Sequence, residues 1–171
     1  MEFTESEKKE IEFLKTRYPQ TRPLILPVLW MIQEREGWVS LESVKATAQI
    51  LQVPEVWVEE VRSWYTLFHK KPKGKYVIDV CRTLSCALLG AEDITEHLCK
   101  KLKIKVGETT TDGMFTIQHA ECLGSCGTGP MIQVGKNYYE CLTPQKVDVI
   151  HDSLSQGKEI PQGPMNFPVY K

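Results

Sequence analysis

Four of the six cysteines stand in two close pairs: Cys81 and Cys86 have four residues between them, Cys122 and Cys126 have three, and thirty-five residues separate the pairs. A chain built this way has to bring two distant segments to one place if the sulfurs are to act together. Thiolates are soft, polarizable ligands, and four of them converging from two loops suit a tetrahedral zinc ion or an iron–sulfur cluster.

The spacing narrows the chemistry. A dithiol oxidoreductase needs Cys-x-x-Cys, and no such pair occurs. A Rieske centre replaces two thiolates on one iron by histidines. His119 precedes Cys122 by three residues, but the histidine nearest to Cys81 and Cys86 is His97. A plant-type ferredoxin wraps its cluster mainly with one loop; here the cysteines divide two and two. Zinc stays open, because its ligand pairs are often spaced two to four apart, although zinc knuckles usually turn through Cys-x2-Cys. A disulfide framework is the remaining alternative. The opening Met-Glu-Phe-Thr-Glu-Ser-Glu-Lys-Lys-Glu is charged rather than apolar, so no secretory leader is expected and a reducing cytosol is the expected compartment.

The 171 residues, 42% hydrophobic and 25% charged, give room for one ordinary globular domain and a smaller one. Residues 1–71 hold ten Lys/Arg against eleven Asp/Glu and residues 72–171 eleven against eleven, so neither part is a polyelectrolyte binder. The dense apolar run Pro23 to Ile32 is too short to span a bilayer.

Helical periodicity predicts four helices in residues 1–71. The first runs from Phe3 to about Arg17 with Ile11 and Leu14 on one side; Thr21 caps a second that ends at Gly37, with Pro23 and Pro27 in its opening turns. Ser40 caps a third, Leu41 to Leu51. Pro54 opens a fourth reaching Phe68, with Val58, Val61 and Tyr65 as its stripe. The last two imitate a helix-turn-helix, yet the candidate recognition helix carries Glu55, Glu59 and Glu60 against Arg62 alone, which argues against nucleic acid. Trp30, Trp38, Trp57 and Trp64 read as core or interface packing.

His69-Lys70-Lys71-Pro72-Lys73-Gly74-Lys75 marks a domain boundary. Beyond it, Tyr76 to Val80 predicts a strand running into Cys81, then a helix from Ala91 to about Lys103. Strands follow at Met114 to His119, Met131 to Val134 and Tyr138 to Leu142, and Thr143 caps a last helix, Pro144 to about Ser155. The chain reads as α+β in three parts: a helical bundle over 1–71, a domain over 72–156 with a four-stranded sheet whose β-α-β-β-α order agrees with a thioredoxin-like arrangement, and an extended C-terminal arm over 157–171. Both cysteine pairs then fall in loops at strand ends. The arm, with Pro161, Pro164, Pro168, Phe167 and Tyr170, is expected to dock on a partner.

Cys81-Arg82-Thr83-Leu84-Ser85-Cys86 with Gly90, followed by Glu121-Cys122-Leu123-Gly124-Ser125-Cys126, resembles the thioredoxin-like [2Fe-2S] ferredoxins. More closely, the chain is similar to the small iron–sulfur subunits that accompany the flavin subunit of NADH:quinone oxidoreductase, respiratory complex I. The resemblance covers nearly the whole chain, including the helical segment from about Tyr18 to Phe68 that free-standing ferredoxins of this group lack. It implies that Cys81, Cys86, Cys122 and Cys126 ligate one [2Fe-2S] cluster, with Cys99 and Cys141 outside the motif. It also implies an oxidoreductase subunit without a substrate site of its own. Its partners would be a flavin- and NADH-binding subunit and other subunits of the complex, its place cytoplasmic and peripheral to the membrane through the complex. Related subunits serve NAD-linked hydrogenases and formate dehydrogenases. Such sequences usually read Cys-Gly-x-Ala-Pro where this one reads Cys126-Gly127-Thr128-Gly129-Pro130.

A cluster with four thiolates gains a negative charge on reduction, which backbone N–H groups directed at sulfur offset; Gly124, Ser125, Gly127 and Gly129 supply a loop able to approach closely. Arg82 is the one cation in sequence beside a ligand. With no histidine ligand, a potential nearer about −400 mV than a Rieske value is expected. No Gly-x-Gly-x-x-Gly joins a strand to a helix, so NADH and FMN are expected only on the partner. Cys99 and Cys141 read as small buried hydrophobes. His69, His97, His119 and His151 have no partner at ligand or triad spacing. Pro130 stands where thioredoxin-like folds carry a cis proline.

Overall fold

A computed structural model describes residues 2–158 and 163–164. The chain divides into two compact units, Met1–Pro72 and Lys73–Lys171.

The first unit is helical. Thr4 and Glu7 form a reciprocal capping box that starts α1, Glu5–Arg17, and Ile11 is its fully buried anchor. The chain then makes a 3-10 turn, Arg22–Leu24, before α2, Ile25–Glu36. The expected Thr21 side-chain cap is absent; Thr21 sits in helical backbone and only its carbonyl is used, accepting from the Leu24 N–H at 3.0 Å. Pro23 accounts for this, because its fixed φ and missing N–H suit a tight first turn and defer the regular ladder. Gly37 ends α2 in the left-handed conformation at φ 79°, which a side chain would strain. Ser40 caps α3, Leu41–Leu51, by accepting from the Ser43 N–H, and α3 buries Val44, Ala48 and Leu51.

The last helix of this unit, α4, covers Glu55–Trp64 and stops short of the expected Phe68. Tyr65 turns to extended backbone there, and the chain folds back so that Phe68 reaches the core, where it is 3% exposed. Of the expected stripe, Val58 is buried, Val61 is half-buried and Tyr65 is exposed. Trp30 and Trp57 pack on the core, whereas Trp64 is 84% exposed. Arg62, the lone cation of this helix, is buried: its Nε donates to the Val39 carbonyl at 2.9 Å and its Nη1 meets Glu59.

The second unit is a mixed sheet with helices against it. In chain order it comprises β1 (Tyr76–Cys81), α5 (Leu84–Leu88), α6 (Ala91–Leu102), β2 (Phe115–Ala120), β3 (Ile132–Val134), β4 (Asn137–Glu140) and α7 (Pro144–Ser155). A two-residue strand, β5 (Gly163–Pro164), adds to the predicted four, giving the order β2-β1-β3-β4-β5. Strands β1 and β2 are parallel, as a crossover through α6 requires, and the β1–β3 and β3–β4 pairs are antiparallel.

Alternation along the strands sorts the two faces. Ile78 and Val80, Phe115 and Ile117, and Ile132 and Val134 share one face and pack with Ile94 and Leu98 of α6 and Val147 and Ile150 of α7. The opposite face carries Asp79, Gln118, Gln133, Tyr138 and Glu140. Helices segregated to one side of the sheet make the chain α+β, as expected.

Helix α5 has no counterpart in the periodicity, because five residues are too few to show one. Cys81 closes β1 and Cys86 lies inside α5, so the first pair is held by regular structure and not by a loop. Cys141 lies one residue past β4 rather than within a strand, with φ 51°, and is half-buried, as is Cys99. Apart from the backbone of Gly163 and Pro164, the expected docking arm beyond Lys158, including Phe167 and Tyr170, lies outside the described residues.

Candidate metal centre

The parallel register sets the site. Cys81 pairs with Ala120 at the ends of β1 and β2, so the first cysteine and the segment leading to Cys122 leave the sheet side by side. Arg82 donates to the Ala120 carbonyl through its N–H at 3.2 Å and pairs with Glu121 through its guanidinium at 2.6 Å. The one cation beside the first cysteine therefore faces solvent, more than half exposed, with its charge matched by the residue before Cys122.

The four sulfurs form two pairs. Cys81 and Cys86 are 2% exposed each and perturb one another's thiols, while Cys122 and Cys126 are exposed with sulfurs 3.6 Å apart. Two thiolates about 2.3 Å from one tetrahedral metal stand about 3.8 Å from each other, so the second pair has the span that one metal ion requires. Among the described residues, no three His, Cys, Asp or Glu side chains meet around one metal position. A [2Fe-2S] cluster asks for two thiolates on each of two irons, which is the pairwise arrangement found here. The pairs also feel each other electrostatically: Cys126 pushes the Cys86 thiol up, and Cys81 pushes Cys126 up.

Backbone donors surround the buried pair. Burial raises the Cys81 thiol, but N–H groups of Leu123 and Thr83 directed at its sulfur outweigh that and leave it below the ordinary thiol value. Burial and the neighbouring Cys81 push the Cys86 thiol up to about 11, partly opposed by the Met131 N–H. Cys126 is raised by its hydrogen bond with Cys122. N–H groups aimed at sulfur stabilise thiolate without adding a titratable charge, so the donor set fits an anionic cluster. These donors come from Leu123 and Met131, which flank the glycine-rich segment expected to supply them, and from Thr83 between the first two cysteines.

The loop of the second pair leans on β4. The Tyr138 hydroxyl donates to the Leu123 carbonyl at 3.0 Å, and the Cys141 N–H donates to the Thr128 carbonyl at 2.7 Å. The hydroxyls of Ser125 and Thr128 both reach Oε1 of Glu140, which is 9% exposed. The Gly129–Pro130 bond is cis, and Pro130 is buried. Neither Glu140 nor Tyr138 stands out in the sequence; Tyr-Tyr-Glu reads as an ordinary strand until β4 is placed beside the loop. On the other side of the site Leu84, Leu88 and Leu89 are 72%, 78% and 54% exposed.

Among the described residues no helix is long and apolar enough to cross a membrane. Cys99 packs against the sheet core, and burial raises its thiol.

The sheet, its two helices on one face and the thiols gathered at the β1–β2 end place the second unit in the thioredoxin-like class. The family model for thioredoxin-like [2Fe-2S] ferredoxins matches residues 11–155. A subunit of the NADH-quinone oxidoreductase of Rhizobium meliloti is 39% identical over 153 residues, covering 90% of this chain and 91% of that protein. NADH-quinone oxidoreductase subunit 2 of Thermus thermophilus is 37% identical over 163 residues, covering 94% and 90%. Among solved structures, an NAD+-reducing [NiFe]-hydrogenase in the air-oxidized state superposes with a TM-score of 0.65 at 17% identity, covering 78% of this chain and 23% of that one, a likeness of fold. The chain belongs to the thioredoxin-like [2Fe-2S] ferredoxin family, in its group of NADH-quinone oxidoreductase subunits. The cofactor of that family is one [2Fe-2S] cluster, and the members of this group work inside an oxidoreductase assembled from several subunits.

Proposed function

We propose that this chain is the electron-transfer subunit of an NADH:quinone oxidoreductase, that Cys81, Cys86, Cys122 and Cys126 hold its [2Fe-2S] cluster, and that it exchanges one electron with the flavin of an NADH-oxidising partner subunit. The observation that carries the reading is the meeting of two thiol pairs at one sheet end, with three backbone N–H groups on the sulfurs of the buried pair. What the bound group supplies is one-electron storage with no proton required.

The residues do the rest. Cys81 and Cys86 bind from a dry position, and Met131 and Leu123 pack over them. Cys122 and Cys126 bind from the exposed loop, the side on which an electron has the shortest way in or out. Leu84, Leu88 and Leu89 form an apolar rim that excludes water once the NADH-oxidising subunit seats against it. NADH and FMN belong to that partner, and the division at residue 72 separates a helical domain from the electron carrier. The assembly is cytoplasmic and meets the membrane through other subunits.

The deciding experiment is an anaerobic purification followed by visible absorption before and after dithionite, with iron and sulfide analysis. Broad bands between about 320 and 550 nm that partly bleach, with two irons and two sulfides per chain, are expected. A colourless folded protein containing zinc would overturn the reading. Co-expression with the NADH-oxidising subunit should give a stable flavin-containing complex, and Leu88→Glu should weaken it while leaving the absorption spectrum intact.

A further inference from the structure

We infer that Glu140 is a positioning residue for Cys126 and that its charge holds the reduction potential of the centre down. The inference rests on the reading of Cys126 as a ligand and extends it to a residue outside the cysteine motif.

Three observations converge on this carboxylate. Glu140 ends β4 and is 9% exposed, an unusual burial for glutamate. One of its oxygens, Oε1, accepts from the hydroxyl of Ser125, the residue before Cys126, and from the hydroxyl of Thr128, two residues after it, the latter at 2.5 Å. The same two hydroxyls lie 2.7 Å from each other, and the Thr128 N–H reaches the Ser125 carbonyl at 3.2 Å. Cys126 thus sits at the tip of a short turn whose two shoulders are fastened to one buried carboxylate. The turn is fastened again where the Cys141 N–H, adjacent to Glu140 in the chain, meets the Thr128 carbonyl.

Two consequences follow from elementary electrostatics. Charge-assisted hydrogen bonds are roughly twice as strong as neutral ones, so this clamp restrains the Cys126 loop more firmly than a neutral residue would. A buried anion beside a group that becomes more negative on reduction opposes that reduction, and the low local dielectric strengthens the effect. Glutamine separates the two roles, since its carbonyl still accepts both hydroxyls but carries no charge.

The test uses the full chain, reconstituted with iron and sulfide under anaerobic conditions. Midpoint potentials are read by dye-mediated titration followed by electron paramagnetic resonance, and cluster lifetime by loss of visible absorption to an iron chelator. Glu140→Gln should keep the cluster lifetime within about twofold of the parent and move the midpoint to a more positive potential. Glu140→Ala should shift the midpoint the same way and shorten the lifetime several-fold. Ser125→Ala with Thr128→Val, which leaves the charge and removes both donors, should shorten the lifetime and serves if the Ala variant fails to fold. An unchanged midpoint in Glu140→Gln would overturn the electrostatic role, and an unchanged lifetime with both donors removed would overturn the clamp. Failure of the ligand reading looks different: Cys126→Ser would then retain the parent spectrum whatever happens at Glu140.

Discussion

A Cβ placed on Gly129 would stand 3.2 Å from the sulfur of Cys86 and 3.1 Å from Cδ1 of Leu89. Glycine at this place, where the resemblance leads one to expect alanine, therefore leaves the backbone closely packed against one sulfur of the buried pair, with little room for a methyl group. The backbone there is extended, with φ −66° and ψ 163°, and tolerates any L residue.

Gly129→Ala is therefore expected to fold. Crowding costs about 1 kcal/mol, and the stiffer unfolded chain returns about 0.4–1 kcal/mol, so the net change in stability stays below about 1 kcal/mol. The exposed Leu89 gives way easily, whereas buried Cys86 must move by tenths of an ångström. The electron paramagnetic resonance spectrum should then shift while the thermal midpoint hardly moves; identical spectra would show that the added methyl is not felt by the sulfur.

Serine substitutions separate ligands from bystanders. Cys86→Ser or Cys122→Ser should lose the cluster or bind it much more weakly, while Cys99→Ser and Cys141→Ser should keep visible absorption and iron content at parent levels. Retained iron in either of the first two would refute the proposed ligand set.

Arg62 is the internal staple of the helical unit. Its removal by Arg62→Ala strands the Val39 carbonyl and frees Glu59, and hydrogen bonds to a charged group are worth about 1.5–3 kcal/mol. For a domain of this size that is a fall in thermal midpoint of about 10 °C, measurable by circular dichroism. A fall of only a degree or two would mean that water replaces the guanidinium at no cost.

Helices α6 and α7 are joined through Asp148, which meets Lys101 and His97, both at 2.8 Å. The Lys101 ammonium, then His97, hold the Asp148 carboxyl below its ordinary value. A depressed folded value means that the stabilisation is present above the ordinary carboxylate range and disappears as pH falls through the folded value. Melting curves should lose midpoint below about pH 4, and Asp148→Asn should flatten that acid limb. The pair is partly exposed and screened by salt, so the limb should be shallower at high ionic strength.

How much of the fold and site is legible in the sequence follows from the range of each signal. Ser40 before α3 and Thr143 before α7 announce those helices at their actual starts, because a cap acts over three residues. The spacing within each cysteine pair is likewise a local signal, whereas the approach of the two pairs depends on the register of β1 and β2. Thr21 misleads because Pro23 imposes a local 3-10 turn, and the burial of Arg62 goes unread because composition does not say which side of a helix faces the core. Glu140 and Tyr138 are invisible: they reach the loop across 15 residues of chain, and only the antiparallel register of β3 and β4 brings them there. Contacts made through register have no local vocabulary in sequence.

The pairing of Cys81 with Ala120 across parallel strands has a temporal meaning. Parallel neighbours cannot meet through a hairpin; the chain must first complete the whole crossover through α6, a non-local closure that comes late in folding. Until then the first two thiols have no counterpart, and an iron centre captured by them alone would be half-ligated. On the proposed ligand set, complete loading of the centre would wait for the closing of the sheet, and colour in the purified protein would then double as a certificate that the chain has finished folding.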